Sequence, residues 1–355
     1  MQGVTRLIEG KQLLLIAEHP VGVDARVKDV IQLLNTEQPE KTMIVGIWGM
    51  NGVGKTTIAK ATYNQMGCSF EGKSFLLNVN EFWKRSDGGL VSLQRQLLSD
   101  VYKTTKIHID TVESGKIILR ERLRHKKIFL VLDSVSKLEQ LNALCGSREW
   151  FGRGSIIIIT TSDKHILPSL QVDHIYRMKY MDTTESQELF SWHAFKLPSP
   201  IESYTDLCRD IVEYSGGLPL ALEVIGSFLF DKSVVVWNFV LEKLKIIPHD
   251  VIMKELRTEF DNLDGNEKKT FLDVATSFIG MDKDDAIQIS NYFRHFPENG
   301  ITVLEEKSLV TIDSENRIGM HSLIREMGRE IIRQQSMMGM AEAEAEAEVS
   351  EVCPL

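Results

Sequence analysis

The chain has 355 residues, of which 43% are hydrophobic and 26% are charged, and its formal net charge is −9. This composition is ordinary for two or three globular domains, and the acidic balance argues against a broad nucleic-acid surface. No apolar run approaches the roughly 18 residues of a membrane span, so we expect no membrane partner. The expected location is cytoplasmic, with the nucleus as the alternative.

The cysteines are scattered along the chain and form no C-x-x-C pair, so neither a disulfide framework nor a zinc site is expected. The four positions are Cys68, Cys145, Cys208 and Cys353.

After an N-terminal stub of residues 1–17, residues 18–174 are predicted to form an α/β domain. Short apolar runs are separated by segments of helical period such as "VSLQRQLLSDVY" and "GKIILRERL". The runs are "MIVGIW", "SFLLNV", "KIFLVLD" and "SIIIITT". Unbroken apolar strands between helices indicate a parallel sheet with helices on both faces.

A helical domain is predicted over residues 175–247, because "TTESQELFSWHAFK" and the segments after it have the apolar spacing of helices. Thr183 or Thr184 is a candidate cap for the first of these helices. A third domain is predicted over residues 248–335, beginning near Pro248.

In the third domain, "LVTID" and "RIGMH" read as a hairpin turned at Ser314, Glu315 and Asn316, with a helix after it. This order predicts a winged helix. The last residues, 336–355, include "AEAEAEAE" and are expected to be an acidic low-complexity tail, either disordered or a frayed helix.

The segment "GMNGVGKTT", residues 49–57, fits the pattern G-x-x-x-x-G-K-[ST] between a predicted strand and a predicted helix. Glycines let backbone N–H groups turn toward a phosphate, Lys55 supplies a positive charge, and the Thr56 hydroxyl suits magnesium. The alternative is a glycine turn without a ligand. The context favours a P-loop that binds a nucleotide.

Asp133 ends the apolar run "KIFLVLD". A carboxylate at the carboxyl end of a neighbouring parallel strand faces the same crevice as the P-loop and can hold Mg²⁺ through water. An isolated Asp after a strand is more often a cap or turn residue. No N-K-x-D sequence that would read guanine occurs in the chain, so adenine is preferred.

The ordered series of motifs resembles the nucleotide-binding (NB-ARC) region of plant intracellular immune receptors, in the branch with an N-terminal TIR domain. The resemblance covers residues 18–335. The motifs are "VGVDARV", "GMNGVGKTT", "FLLNVNE", "KIFLVLDSV", "FGRGSIIIITTSD", "YSGGLPLALEVIGSFLF", "KKTFLDVA" and "RIGMHSLIREMGREII". Eight motifs in order are far more specific than one P-loop.

The resemblance implies a switch in which ADP, held with Mg²⁺, locks a closed state and exchange for ATP opens it. It implies that Asp133 is the magnesium-associated carboxylate and that Thr56 is the other metal ligand. The nucleotide-binding positions that it implies are Val21, Val23, Gly49, Gly52, Val53, Gly54, Lys55, Thr56, Thr57, Pro219 and His321.

Two of these positions could also have a purely structural role. Pro219 in "GGLPL" is also what a helix stop and restart requires. His321 in "MHS" would, outside this motif, more often be a surface or hydrogen-bonded residue than a phosphate contact.

Three serines replace residues that are usual in the family. Ser134 stands where a second Asp would activate water, Ser162 stands where an Arg would sense the γ-phosphate, and Ser322 replaces the Asp of "MHD". Losing a general base commonly removes a factor of about 100 to 10,000 in rate. Hydrolysis is therefore expected to be impaired.

The leading hypothesis is an ADP- or ATP-binding switch module of an immune receptor. The alternatives are a slow ATPase and a degenerate adaptor that pairs with full-length receptors or with itself. No TIR domain fits before "EHPVGVDARV" and no leucine-rich repeats follow residue 335, so neither output is expected from these residues. DNA binding through the winged helix is disfavoured by the acidic charge.

Overall fold

The computed structural model describes residues 7–8, 11–34, 41–66, 70–85, 88–104, 107–246, 249–292 and 300–352. The chain divides into two compact units, Met1–Met181 and Asp182–Leu355. We call them the first unit and the second unit.

The first unit is an α/β domain. Its strands are β1 (Leu7–Ile8), β2 (Lys11–Gln12), β3 (Met43–Trp48), β4 (Gly72–Leu76), β5 (Ile128–Val135), β6 (Ile156–Thr161) and β7 (His174–Arg177). Its α-helices are α1 (Val23–Leu34), α2 (Lys55–Gln65), α3 (Val79–Trp83), α4 (Gly89–Tyr102), α5 (Val112–Leu123) and α6 (Leu138–Leu144). Short 3₁₀ turns lie at Arg148–Trp150, Lys164–Ile166 and Pro168–Leu170.

Five of these strands form one parallel sheet in the order β4-β5-β6-β3-β7. Every residue of β3 and β6 is buried, as expected for strands covered on both faces. The predicted parallel α/β fold is confirmed. The carboxyl ends of β5, β6 and β3 lie together at one edge, which is where the polar residues of the site are found.

Two features of the sheet differ from the sequence-based prediction. β7 was not predicted, because it has only four residues and a single buried position; it pairs with β3, so the first unit extends past the predicted boundary at residue 174. In addition, β5 is not the direct neighbour of β3, since β6 lies between them.

The second unit is largely helical. Its helices are α7 (Thr183–Phe195), α8 (Thr205–Ser215), α9 (Pro219–Leu229), α10 (Val234–Ile246), α11 (Asp250–Asp261), α12 (Gly265–Asp273), α13 (Lys283–Tyr292), α14 (Gly300–Glu306) and α15 (Ser322–Val352). A 3₁₀ turn (Glu202–Tyr204) precedes α8, and a π-helical turn (Val274–Phe278) follows α12. The predicted hairpin is present as β8 (Thr311–Ile312) and β9 (Ile318–Gly319), which pair antiparallel.

Helix α7 is capped one residue earlier than predicted. The Asp182 carboxylate accepts from the Glu185 N–H at 2.9 Å and the Glu185 side chain accepts from the Asp182 N–H at 3.2 Å. This is a capping box. Thr183 and Thr184, the predicted caps, lie inside the helix.

The predicted acidic tail continues α15 as helix to Val352. The predicted division of the second unit at residues 247 and 248, including Pro248, lies outside the described residues. Cys145 and Cys208 are buried free thiols, while Cys68 and Cys353 also lie outside the described part. Within that part, every helix is too short or too polar to cross a membrane.

Candidate functional site

The segment before α2 forms a tight loop. Gly52 and Gly54 have φ angles of 80° and 95°, in the region that glycine adopts at low cost. The Lys55 ammonium donates to the carbonyl oxygens of Gly49 at 2.7 Å and Met50 at 3.0 Å. The lysine therefore closes the loop on itself at the amino end of α2, where backbone N–H groups favour an anion.

Two further predicted residues lie in the same region. Val53 is buried, with 3% of its surface exposed, and Thr57 lies in the first turn of α2. Val53 therefore anchors the loop to the core, and Thr57 follows Lys55 and Thr56 in that turn.

Asp133 is fully buried, with 0% of its surface exposed. Its Oδ1 atom accepts from the Thr56 hydroxyl at 2.7 Å and from the Thr160 hydroxyl at 2.8 Å. Thr56 belongs to α2 and Thr160 to β6, so two hydroxyls from different elements fix one carboxylate. The predicted pairing of Asp133 with the P-loop threonine is present although β5 and β3 are not neighbours.

Ser134 has a left-handed backbone, with φ of 58°. The strand pairing of β5 with β6 shifts register between Leu132 and Val135. A bulge of this kind re-aims side chains. The Ser134 N–H donates to the Thr160 hydroxyl at 2.8 Å, and the Ser134 hydroxyl donates to Asp133 Oδ2 at 3.3 Å. Ser134 thus faces Asp133 and offers it a neutral donor.

Sequence reasoning missed Thr160 and Asn78. Asn78, with φ of 53°, donates its backbone N–H to Asp133 Oδ2 at 3.4 Å. Thr160 had a signal in the sequence, because it is the first polar residue at the carboxyl end of an apolar strand. Asn78 had none, since its contact is made by the backbone.

Two of the predicted nucleotide-binding residues, Val21 and Val23, lie at and just before the start of α1. Val23 is its first residue and is buried, and Val21 is half-buried two residues earlier. The Arg26 guanidinium donates to the Gly22 carbonyl at 2.8 Å and to the Tyr180 carbonyl at 3.2 Å. Arg26 therefore ties this segment to the end of the first unit.

Ser162 is buried, with 8% of its surface exposed. Its carbonyl accepts from the Trp48 indole N–H at 3.1 Å. Ser162 therefore lies one position past β6 beside the end of β3, and a serine side chain offers no positive charge there.

His321 caps α15 in the second unit. Its Nδ1 accepts from the Leu323 N–H at 3.2 Å, and its Nε2 lies 3.1 Å from the Gly216 carbonyl oxygen. An accepting Nδ1 and a carbonyl partner for Nε2 together assign the neutral tautomer with its proton on Nε2. Burial lowers the pKa of His321, while the bond to Gly216 opposes that shift.

The loop that His321 contacts precedes Pro219, which is the first residue of α9 and thus the helix restart that the sequence allowed. Ser322 donates to the Tyr214 carbonyl at 3.5 Å. The two motifs that the sequence singled out in this unit, "GGLP" and "MHS", are therefore hydrogen-bonded to each other. Contact of Pro219 and His321 with a nucleotide remains a prediction.

The donor set around Asp133 suits a hard cation. Mg²⁺ prefers oxygen ligands and is commonly held by one or two carboxylates with substrate phosphates and water. Thr56 and Asp133 offer a hydroxyl and a carboxylate 2.7 Å apart. In the described part of the chain, no group of three or more His, Cys, Asp or Glu side chains forms a metal cage.

The parallel sheet, the glycine loop and the buried aspartate define a P-loop NTPase domain. Residues 23–199 match the NB-ARC domain family, and residues 264–336 match the winged-helix domain described as Disease resistance protein Roq1-like. The chain belongs to the NB-ARC family. The resemblance to the nucleotide-binding region of plant resistance receptors is confirmed, as is the winged helix.

Its relatives are disease resistance proteins. The chain is 41% identical over 315 residues to Disease resistance protein RUN1 of Vitis rotundifolia, covering 88% of this chain and 23% of that protein. It is 37% identical over 326 residues to TMV resistance protein N of Nicotiana glutinosa, covering 90% of this chain and 28% of the relative. The chain thus spans about a quarter of the length of these relatives.

Among solved structures, the Walker-type ATPase PABY2304 of Pyrococcus abyssi superposes with a TM-score of 0.56 at 14% identity, covering 86% of this chain and 95% of that one. At this identity the likeness concerns the fold alone.

Proposed function

We propose that the chain is the nucleotide-binding switch module of a plant intracellular immune receptor, binding ADP or ATP with Mg²⁺ in the first unit. The observation that carries the proposal is the hydrogen bond between Thr56 at the amino end of α2 and the buried Asp133. It brings a phosphate loop and a metal carboxylate together. The NB-ARC family match and the resistance-protein relatives supply the receptor context.

The residues have separate roles in this proposal. Lys55 neutralises phosphate charge, and the N–H groups at the amino end of α2 orient the phosphates. Thr56 and Asp133 hold Mg²⁺, which supplies charge neutralisation between phosphate oxygens when it is bound. Val21 and Val23 offer an apolar surface for adenine. Gly49, Gly52, Val53, Gly54 and Thr57 shape the loop.

Pro219 and His321 are proposed as second-unit contacts of the nucleotide. For His321, this role requires its Nε2 proton to leave the Gly216 carbonyl and turn to a phosphate oxygen, because one N–H makes one strong bond. Binding would then exchange one hydrogen bond for a charge-assisted one, which is the stronger type. We also propose that the second unit comprises a helical part, up to residue 247, and the winged-helix part after it.

Hydrolysis is proposed to be slow. The Ser134 hydroxyl points at Asp133 Oδ2, and a neutral hydroxyl cannot act as a general base near neutral pH. Ser162 leaves the γ-phosphate without its arginine partner. The second candidate function, a degenerate adaptor that associates with related receptors or with itself in the cytoplasm or nucleus, draws its support from these same substitutions.

Retained nucleotide tests the proposal. The purified chain is denatured and the released small molecules are separated by ion-exchange chromatography. We expect close to one ADP or ATP per chain, and loss of most of it in Lys55→Ala, because the loop lysine neutralises the phosphate charge. Lys60→Ala, in the same helix, is the matched control and should retain the nucleotide. An empty parent chain, or equal retention in Lys55→Ala, would contradict the proposal.

Restoring an acid next to Asp133 tests the impaired hydrolysis. Ser134→Asp places a carboxylate on the left-handed position, which Asp tolerates better than most residues. We expect phosphate release to rise at least about tenfold over the parent, a part of the factor that a general base supplies. Ser134→Asn, of similar size and without a charge, is the control. A parent chain that already turns over as fast as Ser134→Asp would show that Ser134 does not limit the rate.

A further inference from the structure

The two oxygens of the Asp133 carboxylate are held to different degrees. Oδ1 accepts from the Thr56 and Thr160 hydroxyls at 2.7 and 2.8 Å. The bonds to Oδ2, from the Asn78 N–H and the Ser134 hydroxyl, are longer, at 3.4 and 3.3 Å. Strong hydrogen bonds to a carboxylate are usually shorter than about 3 Å. The orientation of Oδ2 therefore depends on how firmly its two donors are held in place.

The Asn78 N–H moves with helix α3. Asn78 directly precedes this helix, and its side chain makes no cap hydrogen bond. Its carbonyl accepts from the N–H groups of Glu81 at 2.9 Å and Phe82 at 3.3 Å, so its backbone is bonded to the first turn. Because α3 has only five residues, it has little stability of its own. Another contact must therefore fix α3 for the N–H to keep its aim.

Asn80, the second residue of α3, supplies such a contact. Its Oδ1 atom accepts from the Ser136 hydroxyl at 2.6 Å and from Gln140 Nε2 at 3.2 Å. Ser136 directly follows β5, and Gln140 belongs to α6. One amide oxygen thus joins the short helix after β4 to the segment after β5, the strand that carries Asp133.

Gln140 is itself held in one orientation. Its side chain is fully buried, and its Oε1 atom accepts from the N–H groups of Ser136 at 2.9 Å and Lys137 at 3.2 Å. With Oε1 used to cap α6, Nε2 is directed at Asn80. A buried amide that loses its acceptor is costly, so the bond from Gln140 favours the observed position of Asn80.

We propose that Asn80 is a positioning residue of the Mg²⁺ site: through α3 it keeps the Asn78 N–H on Asp133 Oδ2, and it thereby sets how much Mg²⁺ strengthens nucleotide binding. This inference rests on the proposed nucleotide and Mg²⁺ site of the first unit. Hydrogen bonds that orient a metal-ligating carboxylate contribute to metal affinity, whereas Lys55 acts on the phosphates without the metal. Loss of Asn80 should therefore weaken the effect of Mg²⁺ and spare metal-free binding.

Titration of ADP into the nucleotide-stripped full chain, once with Mg²⁺ and once with EDTA, tests the proposal. We expect the parent to bind ADP at least about tenfold more tightly with Mg²⁺, and Asn80→Ala to lose most of that gain. The dissociation constant in EDTA should stay within about threefold of the parent value. Asn80→Asp keeps an acceptor oxygen for Ser136 and Gln140 and should recover most of the gain. A full Mg²⁺ gain in Asn80→Ala overturns the proposal.

Asn64→Ala is the matched control for a loss of stability. The Asn64 side chain, near the end of α2, bonds the Leu14 N–H and carbonyl at 2.9 and 2.8 Å. This variant therefore also loses an asparagine with two hydrogen bonds in the first unit, and it should keep the Mg²⁺ gain of the parent. A gain reduced equally in Asn64→Ala and Asn80→Ala would reflect stability alone and overturns the positioning role.

Two further measurements keep the test decisive. Ser136→Ala removes the closer donor to Asn80 without altering α3, and it should reduce the Mg²⁺ gain even if Asn80→Ala does not fold, which thermal unfolding shows. In the metal-free chain, Asn80→Ala should speed hydrogen exchange of the Asn78 amide, and unchanged exchange overturns the proposed route through α3.

Failure of the proposed function would give a different result. A parent chain that binds no ADP in either condition contradicts both the nucleotide site and the role of Asn80. A parent that binds ADP equally with Mg²⁺ and with EDTA overturns the role of Asn80 alone and leaves the nucleotide site at Lys55 standing.

Discussion

Asp133 is the residue on which the site depends most. A buried carboxylate without partners would cost several kcal/mol, but this one accepts from the hydroxyls of Thr56, Thr160 and Ser134 and from the Asn78 N–H. Its orientation is therefore set before any ligand binds. Pre-organisation of this kind reduces the cost of assembling a metal site.

The position of Asp133 and its partner Thr56 could be predicted from the sequence, because the P-loop pattern and the apolar strand each have a strong signature. The left-handed Ser134 and the bulge in β5 could not. They arise from strand pairing between β5 and β6, and no local residue preference predicts them.

His321 gives the second unit a pH-dependent stability. Burial lowers its pKa below the ordinary value of 6.5, so folding favours the neutral ring. The corresponding part of the unfolding free energy is present above about pH 6.5 and is lost as the pH falls toward the folded pKa. Protonation would also make Nδ1 a donor and remove the cap on the Leu323 N–H.

The comparison variant is His321→Asn, because Asn is a good N-cap that does not titrate. We expect the parent to lose more stability than His321→Asn between pH 7.5 and pH 5.5, measured by urea unfolding. His249, whose pKa is also lowered by burial, contributes equally to both proteins. His321→Ala should cost about 1 kcal/mol at pH 7.5 through loss of the cap. Equal pH dependence in the parent and His321→Asn would contradict this assignment.

At the scale of elements, the loop between α8 and α9 has one conformationally demanding position. Gly216 has φ of 57°, and a Cβ atom there would lie 2.7 Å from His321 Nε2. Only a residue without a side chain permits both the backbone conformation and the hydrogen bond. The glycine in the loop therefore leaves the space that His321, at the start of α15, needs to reach the Gly216 carbonyl.

Gly216→Ala should lower the unfolding free energy by about 2 to 3 kcal/mol, combining about 1 to 2 kcal/mol for the left-handed backbone with displacement of the His321 ring. Gly280→Ala separates the two effects. Gly280 also has a positive φ, of 82°, but nothing lies within 4 Å of its Cβ position. Denaturant unfolding should show a smaller loss for Gly280→Ala, and equal losses would mean that the histidine contact contributes nothing.

Most elements of the fold could be predicted from the pattern of apolar residues along the chain, including the strands β3 to β6 and the winged-helix hairpin. β7 was not predicted because an edge strand of four residues with one buried position shows no run or alternation of apolar residues. The cap of α7 was missed although "DTTE" carries the spacing of a capping box. Asp182 could therefore have been predicted as the cap from the sequence.

At the scale of the whole molecule, the proposed roles are divided between the units. The first carries the phosphate loop and Asp133, and the second carries Pro219 and His321, whose loop and helix are bonded to each other. A switch needs a second element whose equilibrium a ligand biases. In the proposed function, the bond from His321 to Gly216 would be such an element, because a phosphate oxygen and the Gly216 carbonyl would compete for the Nε2 proton.

The serine at position 162 leads to a prediction about the preference of the chain for ADP or ATP. Without an arginine for the γ-phosphate, the chain should discriminate poorly between ADP and ATP, whereas a charge-assisted contact would contribute about 1.5 to 3 kcal/mol.

We propose that the first unit holds an adenine nucleotide through Lys55. Calorimetric titration of ADP and of ATP into the nucleotide-stripped chain with Mg²⁺ measures this binding. We predict one saturable site, dissociation constants for ADP and ATP within about tenfold of each other, and loss of measurable binding in Lys55→Ala but not in Lys60→Ala. The absence of saturable binding in the parent, or undiminished binding in Lys55→Ala, would contradict a nucleotide site at Lys55.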